Sequence, residues 1–141
     1  MRVMAIDYGD ARTGIAISDP TGLLAGFTTV IQSRKPEFVS GEIARLAREH
    51  SVEELVMGFP RNMDGTEGPR ADLYRAFAGE VEKAVGLPMT LWDERRTTVE
   101  AHAILRESGK KMKQHKKNVD AVAASLILEG YLTRKRLKQQ G

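Results

Sequence analysis

Residues 2–31 read RVMAIDYGDARTGIAISDPTGLLAGFTTVI, and their pattern decides the fold. Residues 2–7 (RVMAID) are apolar and end in an acid. Gly9 and Gly14 bracket a tight loop, residues 14–19 (GIAISD) make a second short apolar run, and Pro20-Thr21-Gly22 signals a turn. Residues 23–31 (LLAGFTTVI) are rich in β-branched and apolar side chains. Three short strands joined by tight turns predict an antiparallel meander.

Beyond this stretch the period changes. From Pro36 to His50, Phe38, Val39, Ile43, Leu46 and Ala47 recur at helical spacing, and Pro36 suits a helix start. Residues 52–59 (VEELVMGF) read as a strand, and residues 60–70 (PRNMDGTEGPR) as a loop. Leu73, Phe77, Val81 and Val85 repeat every four residues and predict a helix from about 70 to 85, ended by Gly86 and Pro88. Residues 88–93 (PMTLWD) read as a strand. Thr97 and Glu100 have capping-box spacing for a helix reaching about Ser108. Residues 110–117 (KKMKQHKK) read as a basic loop, and Asn118 is placed to cap a last helix with Val119, Val122, Ala123 and Leu126 on one face. The later strands are separated by helices, so they are expected to run parallel. The expected fold is α/β, one mixed five-stranded sheet with helices packed on it.

The chain of 141 residues fits a single domain over 1–141, with a basic loop at about 109–117 and a basic C-terminal tail at about 133–141. It contains no cysteine, which excludes a disulfide scaffold, a thiolate metal site and a cysteine nucleophile. No apolar run approaches the roughly 18 residues of a membrane span. MRVMAIDYGD lacks a signal-peptide pattern, so the cytoplasm is the expected location. The net charge of +3 hides an asymmetry. Residues 1–105 carry 12 basic and 16 acidic side chains, whereas residues 106–141 carry 10 basic and 3 acidic. A basic block of this kind attracts a polyanion, or is simply the solvated face of a helical tail.

Several carboxylates stand at element ends. Asp7 ends the first strand, Asp93 and Glu94 end the last, and Asp120 opens the last helix. Carboxyl ends of strands in such sheets are where sites gather. Carboxylates without cysteine, and with no histidine at ligand spacing, favour a hard cation, Mg²⁺ or Mn²⁺. Two such ions can clamp a phosphodiester, one activating water and one stabilising the leaving oxygen. Each acid also has a plain structural role open to it. Asp7 can be a turn residue, Asp120 can complement the helix dipole, and Asp93 and Glu94 can be exposed partners of Arg95 and Arg96. Asp93 and Glu94 point to opposite faces while the strand persists, so only one of them is expected to join a site directly, and alternation alone does not say which.

The segments DYGDARTG at 7–14, GFPRNMDGTEGP at 58–69, DERRTT at 93–98 and NVDAVAA at 118–124 resemble, in order and spacing, the YqgF family, also called RuvX or pre-16S rRNA nucleases. The resemblance runs from about residue 2 to 132. It implies an RNase H-like fold similar to the RuvC Holliday-junction resolvases, with the first strand central. It also implies a metal-dependent nuclease whose catalytic and metal-binding set falls on Asp7, Glu94 and Asp120, with Asp93 the lesser candidate. Arg12, Arg61, Asn62 and Arg95, and the lysines Lys110, Lys111, Lys113, Lys116 and Lys117, are the expected nucleic-acid contacts, and Asp64 lies in the same loop as Arg61 and Asn62. The family's usual leucine in G-L-P is Phe59 here, apolar for apolar. RuvC-type resolvases carry a further carboxylate about three residues into the last helix, where this chain has Ala123 or Ala124. The implied site therefore has three carboxylates, not four.

The expected activity is phosphodiester hydrolysis in structured nucleic acid, with Mg²⁺ or Mn²⁺ as cofactor, two ions per site in the family pattern. The leading substrate is the 5′ end of precursor 16S rRNA, with ribosomal particles as partners. The alternatives are Holliday-junction resolution on DNA and a non-catalytic nucleic-acid-binding factor in transcription. An actin-like phosphotransfer enzyme fits poorly, because such enzymes bind nucleotide between two domains of this kind. A junction substrate favours a two-fold dimer, whereas RNA trimming is compatible with a monomer. No membrane partner is expected.

Overall fold

The computed structural model describes residues 1–22, 25–60, 67–93 and 112–140, with side chains of the last segment described from Asp120 to Lys138. Strands β1 (Val3–Asp7), β2 (Arg12–Ser18) and β3 (Ala25–Gln32) lead into helix α1 (Pro36–Glu49) and strand β4 (Glu54–Phe59). Helix α2 (Ala71–Val85), strand β5 (Met89–Asp93) and the long helix α3 (Met112–Gln140) follow. The sheet order is β3-β2-β1-β4-β5. β1 pairs antiparallel with β2 and parallel with β4, β2 pairs antiparallel with β3, and β4 pairs parallel with β5. The meander, the parallel second half and the central first strand are thus as expected.

Strand alternation divides the core into two layers. Met4, Ile6, Ile15, Ile17, Leu55, Met57 and Phe59 face α1 and α2. Val3, Ala5, Ala16 and Val56 face α3, against Ala124, Ile127, Leu128 and Leu132. Burying each of those three large aliphatic side chains of α3 contributes roughly 1.5–3 kcal/mol, enough to fix a helix whose remaining surface is polar. β1 is buried on both faces, as a central strand flanked by helices must be.

Three details of the sequence reading need correction. Asn118 does not cap the last helix, because α3 already includes Met112–Lys117. Lys, Gln and Met are good helix formers, no Gly or Pro interrupts them, and a helix anchored downstream extends without apolar residues of its own. The part of the basic loop from 112 to 117 is therefore helical, and so is the basic tail as far as Gln140. On α2 the buried stripe is Ala71, Tyr74, Phe77, Ala78 and Val81, while Leu73 is exposed. Tyr74 is drawn inward because its hydroxyl donates to the Tyr8 carbonyl at 2.7 Å. Phe38 of α1 is likewise exposed. On α3, Val122 and Leu126 pack half-buried against Ala123 as expected, and the buried face also carries Ala124, Ile127 and Leu128. The helix expected over 97–108 lies outside the described residues.

Candidate active site

The β1–β2 loop is built to fix the ends of two strands. Tyr8 stacks on Phe77 with ring centroids 3.8 Å apart and meets Tyr74 edge-on. Arg70 reaches Asp10 at 3.0 Å, tying the loop to the start of α2. A side chain at Gly9 would place its Cβ 2.4 Å from the Arg12 carbonyl oxygen, so only glycine closes this turn. Asp7, half-buried, comes off β1 immediately before the turn.

Alternation puts Asp7 on the same face as Val3 and Ala5, the face covered by α3. Its partner across β2 is Gly14. A Cβ at Gly14 would lie 2.1 Å from the backbone oxygen of Asp120, so the start of the packed part of α3 rests directly on this glycine. Register and helix approach therefore bring Asp7 and Asp120, which are distant in sequence, to one end of one face. On the β4 side, one step beyond Ile6↔Met57, the neighbour of Asp7 is Gly58. Asp7 thus stands in a row between two residues without side chains.

Asp120 is bound by Arg12, whose Nε donates to Oδ2 at 3.0 Å, and both side chains are partly shielded, 38% and 21% exposed for Arg12 and Asp120. Burial pushes the Asp120 carboxyl above the ordinary carboxylate range, and the hydrogen bond and charge of Arg12 draw it back without cancelling the rise. Burial thus disfavours the charged form of Asp120, and Arg12 offsets part of that cost.

The structure also separates Asp93 from this group. Phe59, which faces α1 and α2, pairs with Asp93, and Gly58 pairs with Trp92. Paired residues share a face, so Asp93 points away from the face of Asp7 and Asp120. Glu94 lies outside the described residues, as do Arg61, Asn62, Asp64, Arg95, Lys110 and Lys111. Lys113, Lys116 and Lys117 fall on the first turns of α3, with side chains outside the description. Ala123 and Ala124 are fully buried. Among the described residues no three carboxylates or histidines come together as a ligand set.

A divalent cation fits this corner on two grounds. The donors are hard carboxylate oxygens, and Asp120 already holds a cationic group. Gly14, Gly58 and the Arg12–Asp120 pair were not legible as partners in the sequence. The glycines at 9 and 14 bracketing the loop were the only signal that pointed there.

A family model described as "RuvX: Holliday junction resolvase" matches residues 1–134. The chain belongs to the RuvX family. A protein of Halothermothrix orenii named "Putative pre-16S rRNA nuclease" is 46% identical to this RuvX chain over 132 residues, 94% of each chain. A protein of Moorella thermoacetica with the same name is 43% identical over 141 residues, covering 100% of this chain and 99% of that one. Among solved structures, T. thermophilus RuvC in complex with Holliday junction substrate matches with a TM-score of 0.61 and 15% identity, over 96% of each chain. Fowlpox virus resolvase with its Holliday junction DNA matches with a TM-score of 0.59 and 12% identity, over 96% of this chain and 99% of that one. At these identities the likeness establishes the fold, the RNase H-like fold of RuvC-type resolvases. Both the family description and the relatives' name are those of nucleases.

Proposed function

We propose that this RuvX protein is a divalent-metal-dependent nuclease that trims the 5′ end of precursor 16S rRNA. The observation that carries this reading is the juxtaposition, on one face of the sheet, of Asp7 with Asp120 across Gly14. The third ligand in the proposal is Glu94. The family motif favours Glu94 over Asp93, and Asp93 points to the opposite face from Asp7. Asp7, Glu94 and Asp120 are the residues that would hold the metal.

Mg²⁺ or Mn²⁺ held there would supply an activated water and neutralise charge at the departing 3′ oxygen. The rest falls to the chain itself. A cation held at Asp120 would compete with the bond from Arg12, whose planar guanidinium is suited to hold a phosphate oxygen. Lys110, Lys111, Lys113, Lys116 and Lys117, together with Arg61, Asn62 and Arg95, hold the flanking backbone, so binding falls steeply with salt.

The name shared by the relatives favours ribosomal RNA as substrate, and the family description favours four-way DNA junctions. Labelled precursor 16S RNA and a four-way junction are therefore to be tested in parallel, with Mn²⁺, Mg²⁺ or chelator. Metal-dependent shortening of the RNA 5′ end is the expected result. Cleavage of the junction alone would transfer the assignment to DNA. Binding of either without turnover at any metal concentration would favour a nucleic-acid-binding factor. In this reading the protein acts in the cytoplasm, as monomer or homodimer, on RNA or on ribosomal particles.

A further inference from the structure

We propose that the edge formed by β5 and the C-terminal half of α3 is a stacking subsite for a single-stranded stretch of the nucleic-acid substrate. The proposal rests on the nuclease reading for its biological meaning, but not for its geometry. Trp92 is the only tryptophan of the chain. It pairs with Gly58, so it stands in the same row as Asp7 and on the same face. Two strand spacings separate Trp92 from Asp7, about 10 Å. That distance corresponds to roughly three stacked nucleotides at about 3.4 Å each. The residue between them in that row is Gly58, which contributes no side chain.

The indole is held on two sides. A Cβ at Gly130 would lie 3.1 Å from ring atom Cζ2, so the ring is seated against the bare backbone of α3. Tyr131 meets it edge-on, with centroids 6.1 Å apart and planes at 88°. The Arg134 guanidinium carbon lies 5.9 Å from the ring centroid. Leu91, Trp92 and Arg134 line two adjoining cavities of about 360 and 260 Å³. The first also touches Asp93 and Arg75, and the second Lys138. β5 is the outer strand of the sheet on this side, and Leu91 beside Trp92 is exposed.

The chemistry of this edge selects its occupant. From Gly130 onward α3 has no acid and carries Arg134, Lys135, Arg136 and Lys138. Lys135 is engaged by Glu54, so Arg134 and Lys138 are the cations that border the second cavity without that tie. A rigid aromatic ring, a guanidinium over it and cations beside it match a base and its phosphates, the combination used for sequence-tolerant binding of single strands. A strand leaving the Asp7 end of the sheet toward the β5 edge would stack a base at Trp92 and place phosphates near Arg134 and Lys138.

The lone tryptophan makes the test direct. Full-length protein in chelator, so that nothing is cleaved, is titrated with a labelled single-stranded oligonucleotide. Label anisotropy reports binding and intrinsic emission reports Trp92. The expected result is that emission changes in step with anisotropy, and that an abasic strand or a blunt duplex binds without that change. Trp92→Leu is expected to weaken single-strand binding roughly 5- to 150-fold, the range found when one stacking partner is removed. Because Trp92 also packs on α3, the surface pair Arg134→Gln with Lys138→Gln is the second probe. It is expected to weaken binding at least about fivefold and to lower the slope of log affinity against log salt by about 1.4. Saturating single-strand binding with unchanged emission, the same change with abasic strand or duplex, or unaltered affinity in the double variant would overturn the subsite. Failure of cleavage with an intact emission change would instead count against the nuclease reading alone.

Discussion

Replacing Gly14 by alanine tests whether the approach of α3 to β2 sets the geometry of the carboxylates. The new Cβ would sit 2.1 Å from the Asp120 carbonyl oxygen and 2.7 Å from its carbonyl carbon. Such contacts do not fall below 3.0 Å, so the helix backbone at Asp120 must move by about 0.9 Å. No flexible side chain can absorb that shift, since the obstacle is backbone on both sides. Overpacking of this kind costs about 1–3 kcal/mol. For a chain of this size that is a fall of roughly 3–10 °C in melting temperature. Displacement of a catalytic group by about 1 Å can cost on the order of 100-fold in rate, although no carboxylate has been altered. The assay combines thermal melting with metal-dependent cleavage at a temperature where the variant is fully folded. Gly41→Ala in α1 and Gly79→Ala in α2 are the controls, because a Cβ there meets nothing within 4 Å. Both are expected to stabilise by about 0.5–1 kcal/mol and to leave cleavage unchanged. A Gly14→Ala protein that melts and cleaves like wild type would refute the reasoning.

Three further outcomes follow from particular contacts. Arg12→Gln removes the cationic group already bound to Asp120, so calorimetric Mn²⁺ affinity is expected to rise severalfold while nucleic-acid binding weakens and becomes less salt-dependent; unchanged Mn²⁺ affinity would count against competition at Asp120. Thr13 is fully buried with its hydroxyl unpartnered among the described residues, so Thr13→Val is expected to be neutral or to stabilise by about 1 kcal/mol in urea unfolding, and a loss of stability would reveal a missing partner. At Glu54 burial raises the carboxyl pKa, but the bonds from Lys135 and Tyr131 outweigh it and leave it below its ordinary value of 4.5. A lowered pKa stabilises the fold above the unfolded value and is lost as pH falls through the folded one. Glu54→Gln is therefore expected to cost roughly 1 kcal/mol at neutral pH, a deficit that shrinks as pH drops below about 4.5; a constant deficit down to acid would remove the ion pair from the explanation.

Much of the fold is written in local pattern. The meander is legible because glycine and proline turns separate short β-branched runs, and the later strands because helical periods lie between them. Helix faces are less legible. Leu73 has the spacing of a core residue, yet Tyr74 takes the buried position through a bond to Tyr8, 66 residues away in sequence. The start of α3 is missed because charge was read as loop, although lysine and glutamine propagate a helix well. At the site, Asp7 and Asp120 are visible as acids at element ends. The choice between Asp93 and Glu94 is not visible in the strand itself, because alternation gives opposite faces without saying which face holds the site. The pairing of Asp93 with Phe59 puts Asp93 on the face away from Asp7. The Arg12–Asp120 pair spans 108 residues and has no local signature at all.

The face assignment of the carboxylates is open to one direct comparison. Metal-dependent cleavage of the preferred substrate is measured for wild type, Asp7→Asn, Asp120→Asn, Glu94→Gln and Asp93→Asn under identical conditions, with binding followed separately. Asp7, Glu94 and Asp120 variants are expected to bind but not to cleave, while Asp93→Asn cleaves like wild type. Cleavage by Asp7→Asn, or loss in Asp93→Asn with Glu94→Gln fully active, would contradict a catalytic centre on the face of the sheet that α3 covers.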